Sequence, residues 1–443
     1  MEALLSSIKE GKKLPNLYLE IRDHLVHSKT KVIVIDDDPT GCQTVYDVPL
    51  MTIYSREALQ AFIHSDRSVL FILTNSRSKN GKEAFAINKK IKNDVETVSF
   101  EEGLQILYIS RSDSTLRGHF KDEVNALKDP HQKCLFIPAF FEGGRYTFEN
   151  QHYVREGNTF QKACETPFAK DQSFGYESSY LPTYISEKLG EQVEVDFLSI
   201  DEIRNTTVTA LAEKINDSSS EFIVVNAAAY IDLQRIALAS LKAKNKLLYR
   251  SSASFVNALG GIKPRSPLDI QDLRIDGHFP GLIIIGSYVP KTTRQLQQLR
   301  MLNGLKFIEM PTEALLSHKG ILSIREEANH HLGNGNTTVL YTSRTAVDSN
   351  DKQEALEIVN QVAAGVVKVG QGLRLSISYL IAKGGITSND VATEVLRIKQ
   401  TKVLGQAMAG VPVWETSDFP FIVFPGNVGD DMTLYELVKK LEK

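Results

Sequence analysis

Residues 31–44, KVIVIDDDPTGCQT, constrain this chain more than any other stretch. The β-branched run at 31–35 is of the kind that fills a central parallel strand. It ends in three consecutive acids, Asp36, Asp37 and Asp38, and Pro39-Thr40-Gly41 then stops the strand. In open α/β sheets, ligands bind beyond the carboxyl ends of the strands. Adjacent carboxylates repel, and a fold tolerates them best where a cation, a basic side chain or a substrate hydroxyl faces them. A solvated acidic turn built from good turn formers accounts for the string equally well. The rest of the chain has to decide.

At 443 residues the chain is too long for one ordinary core, which points to two domains. With 42% hydrophobic and 24% charged residues the composition is globular, and a formal net charge of -3 offers no basic surface for nucleic acid or membrane. Cys42, Cys134 and Cys164 are odd in number and widely spaced, which argues against a disulfide framework, lacks zinc-site spacing and fits a reducing cytosol. No apolar stretch approaches the roughly 20 residues of a membrane helix, and the amphipathic start, MEALLSSIKEGKKLP, has no signal-peptide core. The expectation is a cytoplasmic protein whose partners are small molecules, with neither nucleic acid nor membrane, and with room for a homo-oligomer.

After a helical lead-in at about 4–26, short apolar runs at 32–35, 69–73, 104–109, 134–137, 222–225 and 246–249 alternate with amphipathic segments. This predicts an N-terminal α/β domain over 1–265 with a doubly wound, mostly parallel sheet. Residues 148–190 have weaker periodicity and read as an excursion over the site. The proline-containing segment 266–280 reads as a linker. A smaller α/β domain follows over 281–443, with strands at 281–285, 305–310, 337–342 and 420–424 and long helices at 353–369 and 389–399. A cleft between the two domains is expected to hold the site.

Polar residues cluster just after the N-terminal strands. RSDSTLRG at 111–118 offers Asp113, Ser114 and Thr115 as oxygen donors before a helix starting near Phe120, and Arg117 as a planar fork for carboxylate or phosphate. Arg77 and Arg145 leave neighbouring strand ends, so guanidiniums are expected opposite the acids. Acids and arginines together suit a small, anionic, hydroxyl-bearing ligand, although any one of these residues alone is more often a cap or a surface charge. In the C-terminal domain three turns combine glycine with small polar residues: Gly286-Ser287, Gly384-Gly385-Ile386-Thr387-Ser388 and Gly426-Asn427-Val428-Gly429-Asp430. Such turns let backbone approach an anion closely and present free N–H groups, and three of them suggest a polyphosphate cradle. Neither GxxxxGK[ST] nor GxGxxG occurs. His152, His330 and His331 lack partners at metal spacing and read as packing or surface residues, and Trp414 reads as a packing anchor.

Asp36-x-Asp38-x-Thr40 after a strand also has the shape of a haloacid-dehalogenase-type phosphatase motif, with Asp36 as nucleophile. That alternative leaves RSDSTLRG and GGITS without roles, and the late acids Asp430 and Asp431 stand well beyond their strand. A non-catalytic sensor of sugar acid or nucleotide is the reading from a different class.

Taken in order, DDDPTG, RSDSTLRGHF, IPAFFEGGR, GGITSND and FPGNVGDDM resemble the four-carbon acid sugar kinase family, over about residues 32–437. The resemblance implies a tetronic acid held by the N-terminal domain, ATP by the C-terminal domain, and phosphorylation of the terminal hydroxyl of threonate-, erythronate- or 3-oxo-tetronate-type substrates. By motif it implies Asp37, Asp38, Thr40 and Gly41 in the family's DDxTG, and Asp113, Ser114, Thr115, Arg117 and Gly118 in its DSTLRG. Ser287, Gly384 to Ser388, and Gly426, Asn427 and Gly429 fall on ATP-binding segments. Asp37 or Asp38 is then the expected general base with Asp113 in reserve, and Arg77, Arg117 or Arg145 the partner of the substrate carboxylate. Mg²⁺ is expected on the phosphates, near Asp430 or Asp431. Two departures stand out: Ile386 where many members carry an acid, and the extra Asp36 with the Gln43-Thr44-Val45 that follows Cys42.

Overall fold

A computed structural model describes residues 15–100, 102–157, 159–344 and 352–443, with no side chains given for 352–357 and 359. The part of the helical lead-in expected at 4–14 lies outside the described residues. The chain divides into two compact units, 1–265 and 266–443. Among the described residues no helix is long and apolar enough to cross a membrane.

The first unit carries β1 (Thr30–Asp36), β2 (Val48–Met51), β3 (Val69–Leu73), β4 (Gln105–Arg111), β5 (Lys133–Ile137), β6 (Arg145–Phe148), β7 (Gln151–Glu156), β8 (Thr159–Lys162), β9 (Val195–Leu198), β10 (Phe222–Val225) and β11 (Leu247–Ser251). Its main strands run in the order β2-β3-β1-β4-β11-β5-β10-β9, with parallel neighbours throughout. β1 is buried along its whole length, as its unbroken apolar run requires of a central parallel strand. From β1 the chain builds outward through β2 and β3 on one side, then crosses to β4 on the other. This reversal makes the carboxyl end of β1 a topological switch point, where a crevice opens in a doubly wound sheet. Below it an aromatic cluster joins Phe120 to Phe136 (5.4 Å) and Phe136 to Tyr184 (5.8 Å).

The excursion is more regular than its sequence. Strands β6, β7 and β8 form an antiparallel sheet of their own, and the β6–β7 turn places Glu149 and Asn150 at φ 48° and 60°. Two left-handed residues match the turn to the strand twist, but Glu-Asn is a weak signal for it.

The second unit carries β12 (Gly281–Ile285), β13 (Lys306–Met310), β14 (Thr338–Thr342), β15 (Tyr379–Lys383), β16 (Gln400–Met408), β17 (Val411–Trp414) and β18 (Phe421–Phe424), in the order β13-β14-β12-β15-β18-β17-β16. β17 is antiparallel to both its neighbours, β16 and β18; the remaining pairs are parallel. The chain builds from β12 through β13 and β14 on one side and crosses to β15 on the other, so the switch point here is the end of β12. Segment 266–280, expected as a linker, sends Leu268 and Leu273 into this unit's core. The helix expected at 389–399 is corrected. It runs Gly385–Asp390, widens into a π-helical turn at Val391–Val395 and stops, with Leu396 N–H donating to Val391 O (2.9 Å). Arg397 then turns left-handed at φ 54° and β16 begins. β-branched Val391, Thr393 and Val395 are poor material for a longer helix. Trp414 is buried edge-on to Phe421, a packing role.

Candidate active site

At the switch point of the first unit the three acids are matched by two arginines. Asp36 stands in register with Arg111 at the end of β4, and Arg111 Nη1 donates to Asp36 Oδ1 at 3.1 Å while lying 3.6 Å from Asp37. Arg77 holds Asp37 with two bonds, Nη2 to Oδ1 (2.6 Å) and Nε to Oδ2 (3.2 Å), and reaches Asp38 Oδ2 with Nη1 (3.2 Å). Asp38 Oδ1 also accepts from the Thr40 N–H (2.8 Å) and hydroxyl, which folds DPTG into a tight turn. Gly41 is required there: a Cβ would lie 1.8 Å from the Asp36 carboxylate.

Burial drives the Asp36 carboxyl up to about 7, against the pull of Arg111. Asp38 is also buried, which pushes it up, yet Arg77 and the Thr40 hydrogen bonds hold it below the usual carboxylate range. Side-chain exposure separates the acids further: 2% for Asp36, 1% for Asp37, 15% for Asp38 and 13% for Asp113. Only Asp38 and Asp113 can meet a substrate without rearrangement. Asp36, the nucleophile of the phosphatase alternative, is enclosed and paired with Arg111.

The loop 112–118 brings up the second expected group. Asp113 accepts from Arg117 Nε (2.7 Å) and from the Thr115 hydroxyl; although burial works against its charge, Arg117 and Arg77 keep it well below the carboxylate range. Arg117 Nη1 also reaches Asp171 at 3.4 Å. The loop is strained, with Leu116 at φ 67° and Gly118 at φ 120°, where a Cβ would press on Asp37 and Ser112 at 3.0 Å. Three successive carbonyls are pinned by the excursion: Ser114 O by His152 Nε2 (2.7 Å), Thr115 O by Tyr176 OH (2.8 Å) and Leu116 O by Tyr184 OH (2.6 Å). Burial lowers His152 to about 4, so it makes this contact as a neutral ring. Ser114 thus contributes its backbone to the packing.

Arg145 differs from the other arginines. It is buried, its Nε has no hydrogen-bond partner, and among the described residues no carboxylate pairs with it. One arm donates to Gly143 O, the guanidinium lies 5.9 Å from the Phe168 ring centre, and Arg117 lies 5.2 Å from the same ring. Desolvation lowers its proton affinity, and Asp113 is the largest compensating charge. Of the three arginines expected to meet a substrate carboxylate, Arg77 and Arg117 are occupied by the protein's own acids and Arg145 is free to do so.

Sequence reasoning missed Arg111 and the layer beneath. Buried Arg250 bridges Glu123, Ser110 (2.6 Å) and Ser112 (2.8 Å), and Glu123 accepts from Ser76 (2.6 Å). A charged residue at or next to the last position of a run that otherwise reads as a buried strand was the available signal for both Arg111 and Arg250.

In the second unit the three glycine turns converge. A Cβ on Gly286 would lie 2.1 Å from Thr387 Oγ1, one on Gly384 would lie 2.9 Å from Ser287 Cβ, and one on Gly426 would lie 3.0 Å from Ser287 Oγ. Ser287 N–H donates to Lys383 O (3.3 Å), Gly384 N–H to Phe424 O (2.9 Å), and Thr292 Oγ1 to Gly426 O (3.2 Å). Gly385 begins the helix of the second turn, where Ile386 is 52% exposed and Ser388 is spent on Ala382 O (2.9 Å). Asn427 and Gly429 continue the third turn, with Gly429 at φ 77°. Arg344, outside the expected set, donates to Ser287 O at 2.7 Å. A backbone cradle that side chains would fill fits a polyphosphate.

The acids expected near a metal are engaged otherwise. Asp430 accepts from Met432 N–H (3.0 Å) and Thr433 Oγ1 (2.8 Å), opening the last helix, and Asp431 pairs with Arg294 (2.9 Å). Among the described residues no group of three or more His, Cys, Asp or Glu is set to hold a metal ion. Asp430 and Asp431, so engaged, are not set together as metal ligands.

With this geometry the chain can be placed. Residues 32–259 match the sugar-binding N-terminal domain and residues 282–434 the nucleotide-binding C-terminal domain. The chain belongs to the family these tandem domains define, the four-carbon acid sugar kinase family that its motifs resemble. No curated protein matches it. Among solved structures it is similar to a Salmonella typhimurium LT2 protein provisionally described as a tRNA synthase, at 17% identity and TM-score 0.69, over 92% of this chain and 98% of that one. It is also similar to Haemophilus influenzae protein HI1011, at 17% identity and TM-score 0.62, over 93% of this chain and all of the other. At these identities the likeness establishes the fold alone.

Proposed function

We propose that the protein transfers the γ-phosphoryl group of ATP to the terminal hydroxyl of a four-carbon sugar acid of the threonate, erythronate or 3-oxo-tetronate type. The observation that carries this reading is Arg145, a buried guanidinium with no carboxylate partner among the described residues, set near the Asp113–Arg117 pair. Burying a cation without a counter-ion is costly, and the carboxylate of a sugar acid would supply the missing charge. Asp38, the most exposed acid of the triad, accepts the hydroxyl proton as the oxygen attacks phosphorus and ADP leaves. Arg77 fixes Asp38 for that role, and Asp37 acts through Arg77 as a positioning residue. Ser287, Thr387 and the backbone of the glycine turns hold the phosphates. Mg²⁺ enters as part of the nucleotide substrate rather than through a protein-built site.

The test is an ATP-consumption screen of the full chain over threonate and erythronate stereoisomers and their oxo forms, with neutral tetritols as controls. Turnover confined to acids supports the proposal. Binding of both ligands without ATP consumption marks a sensor, and release of phosphate from a sugar phosphate without nucleotide restores the phosphatase.

A further inference from the structure

Lys383 is a residue that the motifs did not single out. It ends β15, immediately before Gly384, and its side chain is wholly buried. Nζ donates to Pro425 O at 3.0 Å and lies 3.9 Å from the centre of the Phe424 ring. The side chain therefore reaches from the start of one glycine turn to the start of another, and its backbone carbonyl accepts from Gly286 and Ser287 of the third. Through side chain and backbone together, Lys383 touches the roots of all three turns.

We propose that Lys383 is the buried basic group against which the nucleotide's phosphates bind, its amine held between the turns by the Pro425 carbonyl. The proposal rests on the nucleotide reading of this unit and deepens it. An ammonium has three donors, and the Pro425 bond uses one. Besides the Pro425 carbonyl, the group seen against the amine is the Phe424 ring. β12 and β18 present Ile285 and Phe424 in register with Lys383, and the charge set against it is Lys291, on the helix after β12. The nearby acids are committed elsewhere, Asp430 to Thr433 and Asp431 to Arg294. Desolvation, reinforced by Lys291, lowers the amine well below the ordinary lysine range. A polyphosphate arriving at the turns brings the missing negative charge, so binding should draw a proton onto Nζ. Affinity then weakens as pH rises and the proton becomes harder to take up. A lysine serving only to tie the turns together would show neither effect.

The experiment is calorimetric titration of the full chain with ADP and Mg²⁺, in two buffers of different ionisation enthalpy, for wild type, Lys383→Met and Lys383→Arg. Wild type should show net proton uptake on binding nucleotide. Lys383→Met should lose roughly tenfold or more in affinity, the size expected for a lost charged hydrogen bond. It should also lose the buffer dependence, while sugar-acid binding is unchanged. Lys383→Arg should regain part of the affinity without the proton uptake. Unchanged affinity and proton count in Lys383→Met overturn the proposal. Wild type that binds no nucleotide overturns the reading beneath it instead. Should Lys383→Met not fold, Lys383→Gln takes its place with the same criteria.

Discussion

In the first unit each acid of the triad has an arginine against it, Arg111 for Asp36 and Arg77 for Asp37 and Asp38. In the second unit the converging turns offer glycine backbone, two hydroxyls and one buried amine, with no carboxylate paired to that amine among the described residues. Both places are switch points of parallel sheets, so the topology is alike and the electrostatics are opposite. In the first site the charges hold one another in place before any ligand arrives, and the proposed reading leaves recognition of an anion to Arg145. The second is unbalanced and is completed only by what binds. Pre-paired charge suits a site that must position a proton acceptor. A buried amine that gains its proton with the ligand suits one that must hold a polyphosphate.

The comparison breaks first at Asp38. Asp38→Asn keeps the shape of the DPTG turn and removes the exposed acceptor, so kcat should fall about 10²–10⁴-fold, the range for a lost general base. Nucleotide affinity should be unaltered. A variant with normal turnover would move the base to Asp113. Arg145→Gln should act on binding instead, raising KM for the acid about 10–100-fold through the loss of a charge-assisted pair. Its melting temperature should hold or rise, because a desolvated cation has been removed. A large loss of stability would mean that Arg145 is structural.

Asp36 sharpens the contrast through pH. Folded, this carboxyl keeps its proton up to about pH 7; unfolded, it releases it in the ordinary carboxylate range. Between those limits the native state binds more protons, so its contribution to stability is present at low pH and is lost as pH rises towards 7. The slope is at most about 1.4 kcal/mol per pH unit for one group. Asp36→Asn should flatten the stability curve between pH 5 and 8 and gain on wild type towards the alkaline end, as read from denaturant midpoints. It should also retain turnover, which a phosphatase nucleophile could not.

Much of this was legible in the sequence because it follows from runs and breaks. The apolar strands, the acids after β1 and the three glycine turns are local patterns, and the architecture follows from their order. What was not legible depends on lateral neighbours. Arg111 matters because β4 lies beside β1 in register with Asp36, and adjacency in a sheet is not written along the chain. Arg77 and Arg145 looked equivalent in sequence, and only the fold assigns one to the acids and leaves the other without a partner. Lys383 resembles any lysine at a strand end until burial removes its water. The excursion was foreseen but its strands were not, because Glu149-Asn150 is a poor hairpin signal and its work is done through carbonyl contacts that carry no motif.

That excursion yields the smallest expected effect and a sharp test of how the first site is preorganised. His152, Tyr176 and Tyr184 each bond one of three consecutive carbonyls in a loop whose Leu116 sits left-handed. Left-handed geometry is uphill for leucine, so the loop holds this shape because those contacts over-determine it. Tyr184→Phe keeps the ring packed on Phe120 and Phe136 and removes one bond, at about 1 kcal/mol of stability. If the contacts act as a unit, combining it with Tyr176→Phe should cost more than the two separately, since each bond restrains the same few dihedrals. KM for the acid should rise severalfold in the double variant while KM for nucleotide stays put, because the loop carries Asp113 and Arg117 and nothing of the glycine turns. Strict additivity with unchanged KM would reduce the excursion to packing and leave the strain at Leu116 without a function.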